Sequence, residues 1–153
     1  MNNTRVGVAV RILHEQGDGK IETLLMLRKG GSSPGTWGFP GGSCDPGESP
    51  HKTALRECEE ETGWAPSSLL FDGVAFNMIE GQGWVTFFFN AFVSSEPTVR
   101  IMEPHKCERM EWFDLEGLPD NLFEPITTFY DEDWQHRDKR DLLRRLRERG
   151  GGV

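Results

Sequence analysis

The sequence lacks several features that would place it in a specialised class of protein. Its 153 residues include only three cysteines, Cys44, Cys58 and Cys107, without CxxC spacing. An odd number without metal-type spacing favours reduced thiols over disulfides or a zinc site. No run approaches the roughly 18 apolar residues of a membrane helix, and the start, MNNTRVGVAV, does not resemble a signal peptide. The sequence therefore predicts a cytoplasmic protein that has no membrane partner.

Positive charge is also scarce. The chain has 17 lysines and arginines against 25 aspartates and glutamates, a formal net charge of −8. This balance argues against a scaffold for duplex nucleic acid, which needs a basic face. If such an acidic protein handles anions, we expect a metal cation to act as the intermediary.

The hydrophobic pattern predicts one mixed α/β sandwich around a single core. Strand-like runs cover 6–13, 21–28, 69–79, 83–93 and 111–113, and a glycine- and proline-rich loop covers 30–42. The run at 83–93 is apolar on both faces, which is typical of a central strand. Short and charged helices are predicted at 123–130 and 131–149. The predicted organisation is a domain over 1–130 and a charged helical tail over 131–153.

One further helix, over 50–62, carries a cluster of acids. Ser49 is a suitable N-cap, Pro50 suits the first turn and Gly63 supplies the stop. At 100° per residue, the acids Glu57, Glu60 and Glu61 share one arc of about 100°. The apolar face beside this arc consists of Ala54, Leu55 and Cys58. Like charges at these spacings cost roughly 0.2–0.5 kcal/mol per pair. A divalent cation would offset this cost, and carboxylates suit magnesium or manganese; a solvated acidic face is the alternative interpretation.

The spacing of this segment resembles the box of the Nudix hydrolases, G-x5-E-x7-R-E-U-x-E-E-x-G-U, where U is a bulky aliphatic residue. All seven fixed positions match, from Gly42 through Glu48 and Arg56 to Gly63. The departures are Cys58 and Trp64 at the U positions, which remain apolar. The preceding WGFPGG is also similar to the entry of the box. The resemblance implies a Nudix-type α/β/α sandwich with a central mixed sheet.

The resemblance also implies a hydrolase in which water attacks phosphorus, with Mg²⁺ as cofactor and Mn²⁺ as a substitute. The catalytic residues that it implies are Glu48, Arg56, Glu57, Glu60 and Glu61. The implied metal ligands are the Gly41 carbonyl, Glu57, Glu60, Glu61 and one acid from a later loop. For that acid Glu108 is the first candidate and Glu103 the second, and an ordinary surface acid is the alternative for both.

The segment 103–126 is similar to the MutT-like nucleoside triphosphate pyrophosphatases of the nucleotide-pool-sanitising branch. This implies a nucleotide substrate, cleaved to a nucleoside monophosphate and pyrophosphate. The substrate-binding candidates are Arg28, Gly42, Asn77, Leu122 and Phe123, with Trp37 and Trp84 as further aromatics that could stack on a base. The alternatives are a nucleotide sugar, a dinucleoside polyphosphate, an isoprenoid diphosphate or a non-catalytic binding module. The preferred base and the oligomeric state stay open, a homodimer being one alternative.

Overall fold

A central sheet organises the computed structural model, which describes residues 3–131 together with Arg144 and Glu148. The strands are β1 (Arg5–Glu15), β2 (Ile21–Arg28), β3 (Trp37–Gly38), β4 (Gly41–Ser43), β5 (Leu70–Ile79), β6 (Gln82–Val93) and β7 (Cys107–Asp114). The helices are α1 (Pro50–Thr62) and α2 (Glu124–Phe129).

The sheet is mixed, as predicted. Its order is β3-β2-β1-β6-β5, with β4 paired to β1 and β7 paired to β2. The strands β1 and β6 are parallel, and the other pairs are antiparallel. Because β6 lies between β1 and β5, the prediction of a central strand there is confirmed.

Among the described residues, one helix packs on each face of the sheet. On the α1 face, Val10 and Ile12 of β1 pack with Ala54 and Cys58 of the helix. On the α2 face the core includes Phe88 and Phe129, whose rings stack with centroids 4.0 Å apart. The structure therefore confirms the predicted α/β sandwich.

The helix α1 begins and ends where the sequence predicts. The Ser49 hydroxyl accepts a hydrogen bond from the Lys52 amide at 3.2 Å. Gly63 adopts φ 74°, and its amide donates to the Glu59 carbonyl. Ala54 and Cys58 are fully buried, as predicted for the apolar face, whereas Leu55 is only partly buried. Glu59 and Glu60 are exposed, and Glu57 and Glu61 are partly buried.

Other boundaries differ from the predictions. The predicted loop over 30–42 contains β3 and the start of β4, because Trp37 pairs with Leu27 and Gly41 pairs with Ala9. The predicted strand at 111–113 is part of the longer β7, which pairs along β2. The predicted helix at 131–149 lies outside the described residues except at Asp131, Arg144 and Glu148. Of these, Arg144 and Glu148 are α-helical and form an ion pair.

A buried polar network joins three strands to the residue after α2. The Arg11 guanidinium donates to Asn90, Asp72 and the Tyr130 hydroxyl at 2.8–3.1 Å. Because Arg11 and Asp72 are both buried, their charges are compensated inside the fold. In the part of the chain that the structure describes, no helix is long and apolar enough to cross a membrane.

Candidate active site

A cleft of about 660 Å³ crosses the sheet where β1 and β6 begin and β2 ends. Its floor contains Gly41, Gly42, Glu57 and Glu61. The end beside β5 and β6 is mainly apolar and is lined by Ile79, Trp84, Thr86 and Phe88. The end beside β2 and β7 is basic and is lined by Arg28, Lys29, His105 and Lys106. The wall opposite the sheet contains Phe123, Pro125 and Ile126.

The glycine pair brings the main chain against both β1 and α1. A Cβ atom on Gly41 would lie 2.0 Å from the Val8 carbonyl oxygen. A Cβ atom on Gly42 would lie 2.4–2.7 Å from the carboxyl atoms of Glu57. Neither position has room for a side chain, so the acids of α1 sit directly on the backbone of β4.

Arg56 links three glutamates of the box through hydrogen bonds. Its guanidinium donates to both carboxylate oxygens of Glu48 at 2.8 Å, and to Glu57 at 3.0 Å and Glu60 at 3.1 Å. It also donates to the Ser43 carbonyl, which ties α1 to the segment after β4. The bonds from Arg56 and Thr53 lower the pKa of Glu48 to about 2. The same pairing raises the pKa of Arg56 above its usual value.

Two acids in the cleft carry charge that their surroundings do not stabilise well. Burial raises the pKa of Glu61 to about 8, although its carboxylate accepts a hydrogen bond from the Gly41 amide at 2.9 Å. The charges of Glu57 and Glu103 add to the shift. Burial also raises the pKa of Glu57, against the opposing effect of Arg56. A cation in the cleft would stabilise both carboxylates.

The structure distinguishes the two later-loop acids. Glu108 is exposed and does not line the cleft. Glu103 lies close enough for its charge to raise the pKa of Glu61. Its Oε1 is buried without a hydrogen-bond partner, and its Oε2 lies 3.7 Å from the Lys106 ammonium. The second candidate, Glu103, is therefore the one near the acids of α1.

The carboxylates of the cleft fit a magnesium ion that also binds water and substrate phosphate oxygens. No group of three or more histidine, cysteine, aspartate or glutamate side chains within residues 3–131 is gathered tightly enough to hold a metal unaided. Magnesium usually binds one or two carboxylates, retains waters and takes phosphate oxygens from the substrate. Glu57 and Glu61, two partly desolvated carboxylates beside the main chain of Gly41 and Gly42, match that requirement.

Arg28 and Phe123 form one corner of the cleft. The guanidinium carbon lies 3.8 Å from the centre of the Phe123 ring, and the guanidinium also donates to the carbonyl and hydroxyl of Ser32. Burial lowers the pKa of Arg28, while the charges of Glu61 and Glu80 oppose that change. The corner thus combines a flat apolar surface with a cation.

Other predicted residues lie outside the cleft lining. Glu48 and Arg56 stand behind the acids, and Glu60 is half exposed beside Arg56. The Leu122 main chain pairs with that of Trp37. Asn77 donates its amide to Thr128 at 2.7 Å. Trp37 is buried against Phe113 with ring centroids 5.0 Å apart, so its assignment as a stacking surface is wrong.

Sequence reasoning missed several residues that line the cleft. They include Lys29, Ile79, Thr86, His105, Lys106 and Ile126. None belongs to a recognisable motif. The sequence places Ile79 and Thr86 in strands but gives no sign that they line a cleft. Lys29, just after β2, donates its main-chain amide to the carbonyl of Lys106, just before β7. Only the pairing of distant strands brings these side chains together.

Known proteins resemble this chain in sequence and in fold. A family model described as NUDIX domain matches residues 3–133. The chain therefore belongs to the Nudix family, as the spacing of its box predicted. The crystal structure of a MutT NUDIX hydrolase from Burkholderia pseudomallei is 30% identical, with a TM-score of 0.71, over 86% of this chain and 99% of that one. This similarity supports the MutT-like branch.

Curated relatives are more varied. An RNA pyrophosphohydrolase from Nitratiruptor sp. is 39% identical over 116 residues, which cover 76% of this chain and 65% of that protein. Putative nudix hydrolase 1 from Caenorhabditis elegans is 26% identical over 120 residues, 78% of this chain. The chain spans 32% of the length of that C. elegans protein.

Proposed function

We propose that the protein is a magnesium-dependent pyrophosphohydrolase that converts a nucleoside triphosphate into a nucleoside monophosphate and pyrophosphate. The observation that carries this proposal is the pair of raised-pKa carboxylates, Glu57 and Glu61, in the floor of the cleft beside Gly41 and Gly42. In the proposed reaction the oxygen of a water molecule bonds to phosphorus, and the water gives up a proton to the solvent. The bridging P–O bond breaks, and pyrophosphate leaves.

In this proposal Glu57, Glu61 and the Gly41 carbonyl hold Mg²⁺, with Glu60 and Glu103 as further ligand candidates. The bound cation would offset the charge that develops on the phosphate oxygens and would favour hydroxide formation from water. Arg56 orients Glu57 through a 3.0 Å hydrogen bond. Gly41 orients Glu61 through its amide, so the main chain and Arg56 fix the two carboxylates before substrate binds.

The distribution of side chains along the cleft suits a molecule with one flat apolar end and one anionic end. The partly exposed Trp84 offers an apolar surface beside β5 and β6, where the buried Ile79 and Phe88 also line the cleft. Lys29 and Lys106 offer positive charge at the other end, beside β2 and β7. A nucleoside triphosphate lying along the cleft places its phosphate chain over the acids and its terminal phosphates near the lysines. The base then lies near Trp84, at the apolar end.

A second candidate substrate is the 5′-triphosphate end of an RNA. Two observations favour it: the relative with 39% identity is named an RNA pyrophosphohydrolase, and the basic end of the cleft includes exposed Lys29, His105 and Lys106. The chemistry at phosphorus is the same in both cases. The two candidates differ in whether the chain beyond the first nucleotide contributes to binding.

A substrate panel tests the proposal. Purified protein with Mg²⁺ is offered nucleoside triphosphates, a short RNA with a 5′-triphosphate, ADP-ribose, a dinucleoside polyphosphate and an isoprenoid diphosphate. Products are identified by anion-exchange chromatography and phosphorus NMR. We expect a monophosphate and pyrophosphate from a triphosphate, with kcat/KM of about 10⁴ M⁻¹s⁻¹ or more, and loss of turnover in EDTA.

Each other outcome has a definite meaning. A strong preference for the RNA over the free nucleotide selects the second candidate. Turnover confined to ADP-ribose, the dinucleoside polyphosphate or the isoprenoid diphosphate refutes the triphosphate assignment. Turnover that survives EDTA refutes metal dependence. Tight binding of one compound without turnover would indicate a binding module.

A further inference from the structure

Four exposed apolar side chains lie in one row on the edge of the sheet. They are called the β5 stripe here: Phe71, Val74, Phe76 and Met78, with 53, 39, 54 and 57% of their surface exposed. In the described chain, only Met102 is another large hydrophobic residue of comparable exposure. A β-bulge between Phe71 and Gly73 keeps Phe71 on the same face as the other three. Concentration of the exposed hydrophobic residues on one strand is typical of an interaction surface.

The strand that carries the stripe is also open along its backbone. Within the described residues β5 pairs only with β6, and it is the last strand in the sheet order. Exposed edge strands normally avoid association through lysine, proline or inward-pointing charge. The sequence LFDGVAFNMI contains no lysine or proline, and its single charge, Asp72, is buried with Arg11. The bulge is confined to the start of the strand, so 73–79 remains regular.

We propose that the β5 stripe is a homodimer surface, on which β5 of a second copy pairs antiparallel about a two-fold axis. A two-fold axis places the same row of side chains on both copies, so the interface must be self-complementary. With the axis at Phe76, that residue faces its own counterpart and Val74 faces Met78. An uncharged apolar row meets these conditions without repulsion. The free amides and carbonyls of both edges find partners in the joined sheet.

The size of the surface indicates a weak dimer. The four side chains expose roughly 350 Å² per copy, so strand pairing can bury at most roughly 700 Å² of their surface for the pair, before the strand edges are included. Stable complexes usually bury about 1,200 Å² or more. We therefore expect dissociation in the micromolar range. Because each copy has a net charge of −8, added salt should screen repulsion and strengthen the association.

The side chains of the stripe point away from the cleft lining. They lie on the face of the sheet that carries Phe87 and Phe89 and packs on α1, whereas the neighbouring Ile79 points to the other face and lines the cleft. Changes in the stripe should therefore leave hydrolysis intact. This separation allows the dimer to be tested even if the proposed function fails.

Analytical ultracentrifugation of the full chain between about 1 and 200 µM tests the proposal. The wild type should pass from monomer to dimer, and higher salt should lower the dissociation constant. Phe76→Glu and, independently, Val74→Lys should raise the dissociation constant at least about tenfold. The matched control is Met102→Glu, which changes an exposed hydrophobic residue outside the stripe and should leave the dimer unchanged. Circular dichroism checks that each variant is folded.

Hydrogen exchange of the β5 amides provides the independent measurement. Exchange at 73–78 should slow as the wild-type concentration rises, and should not do so in Phe76→Glu. A wild type that stays monomeric throughout overturns the proposal. If that monomer already protects the β5 amides, another part of the chain covers the stripe. A dimer that neither stripe variant weakens also overturns the proposal, because another surface then forms it.

Discussion

At the scale of single residues, Gly41 and Gly42 set the distance between the main chain and the acids. A Cβ atom added to Gly41 would collide with the backbone oxygen of Val8. A Cβ atom added to Gly42 would collide with the end of a flexible side chain, that of Glu57. The same substitution should therefore have different consequences at the two positions. This contrast separates a role in folding from a role in the site.

We expect Gly41→Ala to lower the free energy of unfolding by about 3 kcal/mol or more, because the β1 backbone must move. Gly42→Ala should cost at most about 1 kcal/mol, since Glu57 can swing away. It should nevertheless reduce kcat/KM at least about tenfold, because Glu57 loses its position. Urea unfolding and steady-state kinetics measure the two effects. Equal stability of both variants, or full activity of Gly42→Ala, would contradict this account.

The raised pKa of Glu61 predicts how the stability of the fold depends on pH. That pKa is about 8 in the fold, above the ordinary carboxyl value of 4.5. A group whose pKa is raised on folding stabilises the fold fully below its unfolded pKa, and that stabilisation is lost as pH rises through the folded pKa. The metal-free protein should therefore lose stability between about pH 5 and 8, and Glu57, whose pKa is also raised, acts in the same direction.

Urea unfolding in EDTA at several pH values measures this fall. Mg²⁺ should reduce it, because the ion binds the charged carboxylates, and its apparent affinity should rise with pH over the same interval. Glu61→Gln should flatten the pH dependence. A wild type whose stability is constant from pH 5 to 8 would show that Glu61 titrates normally.

At the scale of elements, α1 was predictable because its signals are local. Ser49 caps one end, Gly63 stops the other, and the apolar spacing of Ala54 and Cys58 orients the helix between them. The short strands β3 and β4 were not predictable, because residues such as Gly41 become a strand only by pairing with β1. The extent of β7 likewise depends on β2.

The N-cap of α1 provides a test at this scale. Ser49→Ala removes the side-chain acceptor for the Lys52 amide, and we expect a loss of about 1 kcal/mol in the free energy of unfolding. Ser68→Ala, at an exposed position outside the regular elements, is the control and should change stability by less than about 0.5 kcal/mol. Thermal or urea unfolding distinguishes the two. An equal effect of both substitutions would mean that the cap contributes little.

At the scale of the whole molecule, the box predicts the acidic floor of the cleft but not its walls. Glu57 and Glu61 share one helix, so their spacing alone brings them together. Lys106, just before β7, and Trp84 of β6 reach the same cleft. Only the strand order β7-β2-β1-β6 brings them to one side of the molecule. The same limit applies to Glu103 and Glu108. They are close in sequence, and the path of the chain before β7 decides which one lies near Glu61.

The central claim is that the carboxylates in the cleft carry out the hydrolysis, and the most direct measurement compares two glutamates of α1. Glu61 lies in the floor of the cleft, whereas Glu59 is exposed and outside it. Turnover of the preferred substrate in Mg²⁺ is measured for the wild type, Glu61→Gln and Glu59→Gln, with unfolding curves to check the fold. We expect Glu61→Gln to lose at least about a hundredfold in kcat/KM, and Glu59→Gln to stay within about twofold of the wild type. A folded Glu61→Gln with nearly wild-type turnover would contradict the assignment of this cleft as the active site.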